Sequence, residues 1–112
     1  MNNSSTGLPE NVAGALCYAL GFLSGLIFLI FERRSLFVRF HAMQSLMAFG
    51  IIALAGIAVQ ILPGIGAALS FVLNVFALAL WIVCMVQAWQ GRRWKLPLVG
   101  EEAEKQANRM VL

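Results

Sequence analysis

A chain of 112 residues has room for one compact unit. Its residues are 61% hydrophobic and 12% charged, against roughly 45–50% apolar and about 25% charged in soluble domains, and a particle this small cannot hide the surplus inside. The net charge of +3 comes from basic residues gathered in two places, Arg33, Arg34 and Arg39, then Arg92, Arg93, Lys95, Lys105 and Arg109; they flank apolar stretches and form no stripe with interleaved aromatics, which excludes nucleic acid and leaves a lipid bilayer as the partner.

Residues 1–11 are polar, with Gly7 and Pro9, and read as a flexible tail. The tail lacks Lys and Arg, so it offers no basic n-region of a signal peptide, and the apolar segment behind it is expected to be retained. Val12 to Phe31 carries no charge over about 20 residues, the length that matches a hydrocarbon core of about 30 Å. Glu32-Arg33-Arg34 ends this segment, and Ser35 is a fitting N-cap for the next. A second span is expected over residues 40–62, entered through an interfacial turn from Leu36 to Phe40. Pro63-Gly64-Ile65-Gly66 makes a tight uncharged turn. The third span is expected over residues 65–89. Pro97 and Gly100 then break the chain before a short helix over 101–111, whose weak apolar face of Ala103, Ala107 and Met110 suits solvent or loose docking.

The fold class expected is therefore all-α: a membrane protein with three transmembrane helices and a short soluble helix at the C-terminus. Only helices or closed barrels satisfy the backbone in hydrocarbon, and the alternation of a barrel strand is missing. With three spans, every basic residue falls on one side, so the positive-inside rule puts the N-terminus outside and the C-terminus in the cytoplasm, in the cell membrane.

Small and polar side chains decide how helices meet in lipid, where the hydrophobic effect does not drive association. Gly14, Tyr18, Gly21 and Gly25 are expected along one face of the first helix. Ala67, Ser70, Asn74, Ala77, Trp81, Cys84 and Ala88 recur at threes and fours along the third. Gly14, Gly21, Gly25, Ser70 and Asn74 are the packing candidates; the alternative is a polar path lined by Ser24, Ser70 and Asn74. Arg39, His41, Gln44 and Ser45 form the densest polar cluster, with Arg39 pointing away from the face shared by the other three. Such a histidine either titrates, relays protons or binds a headgroup phosphate, or hydrogen-bonds locally and fixes the loop. A lone histidine is no metal site. Cys17 and Cys84, placed near opposite ends of their spans, are expected to lie about 20 Å apart in depth, too far for a disulfide.

The run Phe37-Val38-Arg39-Phe40-His41-Ala42-Met43-Gln44-Ser45 resembles a family of small uncharacterised prokaryotic membrane proteins whose second helix opens on Phe-His-Ala-x-Gln. Asn11-Val12-Ala13-Gly14, Tyr18 and Gly21-x-x-Ser24-Gly25 fit the same pattern, and the resemblance covers roughly residues 11–95. That family is distantly similar to the chloroplast inner-envelope protein-import component, the Tic-twenty-like proteins. The resemblance implies a multi-helix membrane protein without assigned activity, in which Arg39, His41 and Gln44 share the importance of the motif; the import component has four helices where three are read here.

The chain has no aspartate, no phosphate-binding loop, no nucleophile elbow and no metal-ligand spacing. A non-enzymatic structural, assembly or interaction protein without cofactor is expected, as a homo-oligomer or with other membrane proteins. The alternative is an oligomeric pore or transport component, translocon-like or holin-like. A lipid-directed enzyme using His41 lacks a nucleophile to work with.

Overall fold

The computed structural model describes residues 5, 7–97 and 99–109. Five helices follow one another: α1 (Glu10–Leu16), α2 (Phe22–Phe31), α3 (Leu36–Val59), α4 (Gly66–Trp89) and α5 (Gly100–Arg109). Two of them, α3 and α4, are long and apolar enough to cross a membrane. At about 1.5 Å per residue each runs about 36 Å. Ser35 caps α3 by accepting from the Val38 N–H at 3.1 Å. The α3–α4 turn uses Gly64 at φ +82°, and a Cβ on Gly66 would meet the Val59 carbonyl oxygen at 2.6 Å.

The expected first span over 12–31 is not one helix, and this corrects the three-span reading. The chain turns through Cys17–Gly21 on short i→i+3 bonds (Tyr18 N to Ala15 O, Ala19 N to Leu16 O, Gly21 N to Tyr18 O). Gly21 then starts α2 at φ +64° and ψ −135°, a conformation that side chains disfavour. The direction reverses there. Gly14 abuts Phe37 and Ala88, Asn11 donates to the Trp89 carbonyl at 3.0 Å, and Trp81 donates to the Tyr18 carbonyl at 2.6 Å, so α1 runs with α3 and against α4. Gly21 faces Phe49, Gly25 faces Ala42–Leu46, and Arg39 reaches the Leu29 and Glu32 carbonyls, so α2 runs back against α3.

The first apolar segment is thus a helical hairpin that begins and ends at the same, basic end of the molecule. Ser5 donates its N–H to the Glu32 carboxylate at 2.8 Å, and the Ser35 hydroxyl donates to Glu10. The N-terminal residues described here therefore stand beside the first connector. They do not stand across from it, as an N-terminus on the far side requires. Of the expected flexible tail, residues 1–4 and 6 lie outside the described residues, while Ser5 is bonded and Glu10 and Asn11 belong to α1.

After α4, Gly91 turns the chain at φ +79° and residues 92–96 run along α3. Ala103 and Ala107 bury the inner face of α5, with the Ala107 carbonyl 3.5 Å from Arg39 Nε; Met110 lies outside the described residues. The first half of α3 is consequently enclosed by α1, α2, α4 and the C-terminal segment. All nine residues from Phe37 to Ser45 are buried. Past Phe49 the α3–α4 hairpin stands alone and exposes Ile51, Leu54, Ile57, Phe71, Val72 and Phe76.

Candidate functional site

The helix break explains several of the polar residues. Non-helical backbone is tolerated at membrane depth only where other groups satisfy it. The Ser24 hydroxyl donates to the Cys17 carbonyl at 2.9 Å and accepts from the Leu20 N–H at 3.0 Å. Ser45 donates to the Gly21 carbonyl at 2.8 Å, and Trp81 serves the Tyr18 carbonyl. Ser24 is thereby used up inside the turn and does not line a path with Ser70 or Asn74. The three glycine candidates converge on α3 from two helices rather than lying on one. A Cβ on Gly14 would meet Phe37 Cε1 at 2.8 Å, and one on Gly25 would meet the Ala42 carbonyl oxygen at 2.7 Å.

At the centre stands a closed hydrogen-bond network of Tyr18, His41 and Gln44. His41 Nε2 lies 2.9 Å from the Arg92 carbonyl, which only accepts, so Nε2 carries the proton. In the neutral ring Nδ1 then accepts from the Tyr18 hydroxyl at 2.7 Å. Gln44 Nε2 donates to the Tyr18 oxygen and to the Trp94 carbonyl, both at 2.9 Å, while its Oε1 accepts from the Leu96 N–H at 3.0 Å. The hydrogen-bond order is fixed from end to end, and no described buried side-chain nitrogen or oxygen lacks a partner. Edge contacts from Phe37 and Phe40, at ring-centroid distances of 4.6 and 5.0 Å, hold the imidazole between aromatic walls. Each end of the network lands on backbone of residues 92–96. Its evident physical work is to fasten the C-terminal segment to α3.

Arg39 does the corresponding work on the other side of the helix. Its guanidinium donates to the Glu32 carbonyl at 2.6 Å and the Leu29 carbonyl at 3.4 Å, capping the negative end of α2. The Arg39–His41–Gln44–Ser45 cluster lies inside the protein. Together its members bind three sets of neighbours: α2 and α5 by Arg39, the C-terminal segment by His41 and Gln44, the helix break by Ser45.

Glu32, read from the sequence only as part of the first connector, is fully buried. Its carboxylate accepts from the N–H groups of Ser5, Arg34 and Ser35 at 2.8–3.1 Å. Burial acts to raise its pKa, but these donors, led by Ser5, outweigh it and hold the carboxyl below the usual range. Lys95 bridges Glu101 and Glu104 at 3.1 Å each, in place of the Glu101–Lys105 pair that the helical spacing suggests; Glu104 and then Glu101 raise its pKa above the ordinary lysine value. Cys17 and Cys84 are free and buried. The depth difference expected between them does not arise, because the segment folds back: Gly14 abuts Ala88 and the Tyr18 carbonyl accepts from Trp81, which sets Cys17 beside the stretch of α4 that holds Cys84. On α4, Cys84 and Ala88 are buried and Ser70, Ala77 and Trp81 half-buried, whereas Asn74 faces outward. Beside the network an apolar cavity of about 520 Å³ is lined by Ala48, Ile52, Phe76, Trp94 and Leu96 among others, without a charged group.

Sequence comparison places the chain. It belongs to the family described as the magnetosome magnetite crystal formation protein family, whose pattern matches residues 8–101. It is similar to a UPF0132 membrane protein of Methanocaldococcus jannaschii, 45% identical over 105 residues, which are 94% of this chain and 94% of the relative. A second UPF0132 membrane protein of that organism is 46% identical over 99 residues, covering 88% of this chain and 71% of the relative. One of Archaeoglobus fulgidus is 43% identical over 99 residues, covering 88% and 96%. No solved structure matches. The chain is therefore a membrane protein of a family with archaeal members, as its composition and the nearer part of the resemblance imply.

Proposed function

We propose that this family member is a non-catalytic structural protein of the cell membrane, in which α3 and α4 span the bilayer, the α1–α2 hairpin re-enters it, and the docked C-terminal segment forms a platform on the cytoplasmic side. One observation carries this reading: every polar group of the Tyr18–His41–Gln44 network is engaged by another part of the same chain. A general acid or base needs a lone pair or proton directed at a substrate, and the network directs all of its own at backbone and at itself. The basic residues, gathered at the end where the N-terminal residues, the first connector and the C-terminal segment meet, support a cytoplasmic location for that end.

The family's description speaks of magnetite crystal formation. A role at a mineral or at iron calls for grouped ligands, and among the described residues no three His, Cys, Asp or Glu side chains come close enough to hold a metal ion. The reading therefore puts this chain's contribution in membrane organisation. It takes nothing from the likeness to the chloroplast import component, and Ser24, spent inside the helix break, gives a conduction path little support. Native electrophoresis of solubilised membranes tests it: a structural role expects a discrete assembly larger than the monomer, and a chain that runs only as monomer at native abundance sinks it.

A further inference from the structure

A lipid surround suits nearly all of the exposed surface of the helices α3 and α4 themselves, since apart from the terminal Trp89 their outward residues are Ile, Leu, Val, Phe and Ala, with exposed Gln60 lying beyond them in the turn. Asn74 is the exception. It is exposed, about 12 Å along α4 from Gly66 and about 22 Å from Trp89, at 1.5 Å per residue. The strongly polar side chains of α3 are treated differently: Arg39, His41, Gln44 and Ser45 are buried and bonded, while on α4 Ser70 and Gln87 are half-buried and Asn74 alone is exposed. Among the described residues nothing donates to or accepts from the Asn74 amide. Left facing hydrocarbon, it loses the hydrogen bonds that water gave it and gains none.

We propose that the face of α4 around Asn74 is where a second copy of this chain docks within the membrane, with the two Asn74 amides hydrogen-bonded across a two-fold axis. An amide both donates and accepts, so it is its own complement. A two-fold contact places the same residue of the partner at the same depth without further adjustment. Phe71 and Leu78, one turn to either side and 70% and 55% exposed, supply apolar packing around the pair. The inference rests on α3 and α4 spanning the bilayer and goes beyond the structural reading by naming the partner and the surface.

The test measures self-association by energy transfer between labelled copies in phosphatidylcholine vesicles, over a range of protein-to-lipid ratios. Interhelical polar bonds of about 0.6–2 kcal/mol correspond to a roughly 3- to 30-fold weaker dimer for Asn74→Leu; Asn74→Gln, which keeps an amide, should retain most of the association. In a background with Cys17→Ala and Cys84→Ala, oxidation should crosslink Asn74→Cys to itself and leave Val72→Cys, exposed on the opposite face of α4, as monomer. Association unchanged in Asn74→Leu, crosslinking through residue 72 in preference to 74, or a monomer at every ratio overturns the proposal. Extraction with alkaline carbonate separates the failures: a chain that stays in the membrane but does not pair refutes the dimer alone, whereas a chain that is stripped off refutes the spanning reading beneath it.

Discussion

Replacing Gln44 by methionine, which keeps length and flexibility but removes the amide, should release the C-terminal segment while leaving the membrane hairpin in place. Two of the three Gln44 hydrogen bonds hold that segment directly, through the Trp94 carbonyl and the Leu96 N–H, and the third steadies Tyr18 beneath His41. At about 1 kcal/mol net per bond, and more where a group is left dry, the loss is about 2–3 kcal/mol. Arg92, Arg93 and Lys95 put tryptic sites inside the fastened stretch. Cleavage there follows the population of the opened form when reclosing is fast. Gln44→Met should then be cut about 30- to 150-fold faster than the parent chain in detergent micelles. Gln87→Met on α4, outside the network, is the matched control. A cleavage rate within a factor of three of the parent would refute the fastening role, whatever happened to overall stability.

The buried Glu32 carboxylate sets an acid limit. Its pKa is held below the ordinary value in the folded chain, so its stabilisation is complete above the unfolded-state pKa and is lost as pH falls through the folded one. Thermal unfolding in detergent should show stability dropping on acidification below the usual carboxylate range, with Glu32→Gln less stable at neutral pH and flatter toward acid; an identical pH profile for the two chains contradicts this. Gly25 and Gly50 separate packing from helix propensity. A Cβ at Gly50 meets nothing within 4 Å, so Gly50→Ala should stabilise by up to about 1 kcal/mol. A Cβ at Gly25 strikes backbone of α3, so Gly25→Ala should fall about 1–3 kcal/mol below Gly50→Ala in chemical denaturation; equal midpoints would contradict the close α2–α3 approach.

What the sequence made legible follows from which forces are local. The α3–α4 hairpin, its Pro63-Gly64 turn and the Ser35 cap are written in hydropathy and turn chemistry, and they stand where expected. The α1–α2 break was missed because hydropathy weighs side chains, whereas the break depends on backbone groups. Residues 12–31 are as apolar as a true span, and what permits the reversal is Gly21 at positive φ together with Ser24, Ser45 and Trp81 meeting the freed carbonyls of residues 17, 18 and 21. The available signal was Gly21 with Ser24 inside an apolar segment, a pattern of interrupted membrane helices, but it read equally well as a packing face. The polar cluster is legible in the sequence, but its enclosure is not. Its burial comes from the folded-back α1–α2 segment on one side and from the C-terminal segment and α5, some 50 to 70 positions on, whose approach to α3 no local pattern announces. Glu32 escaped notice for the same reason, since its donors come from Ser5 as well as from its own connector.

Sidedness tests the re-entrant first segment most directly. In a chain with Cys17→Ala and Cys84→Ala, single cysteines replace Leu8, Arg33 or Leu62, and right-side-out vesicles are treated with a membrane-impermeant maleimide before and after permeabilisation. Re-entry labels residues 8 and 33 together and residue 62 from the other side, because the ends of the α1–α2 hairpin share one end of the molecule while Leu62 sits at the α3–α4 turn. Labelling of residue 8 with residue 62, opposite residue 33, would mean that residues 12–31 cross the membrane, and would contradict the fold described here.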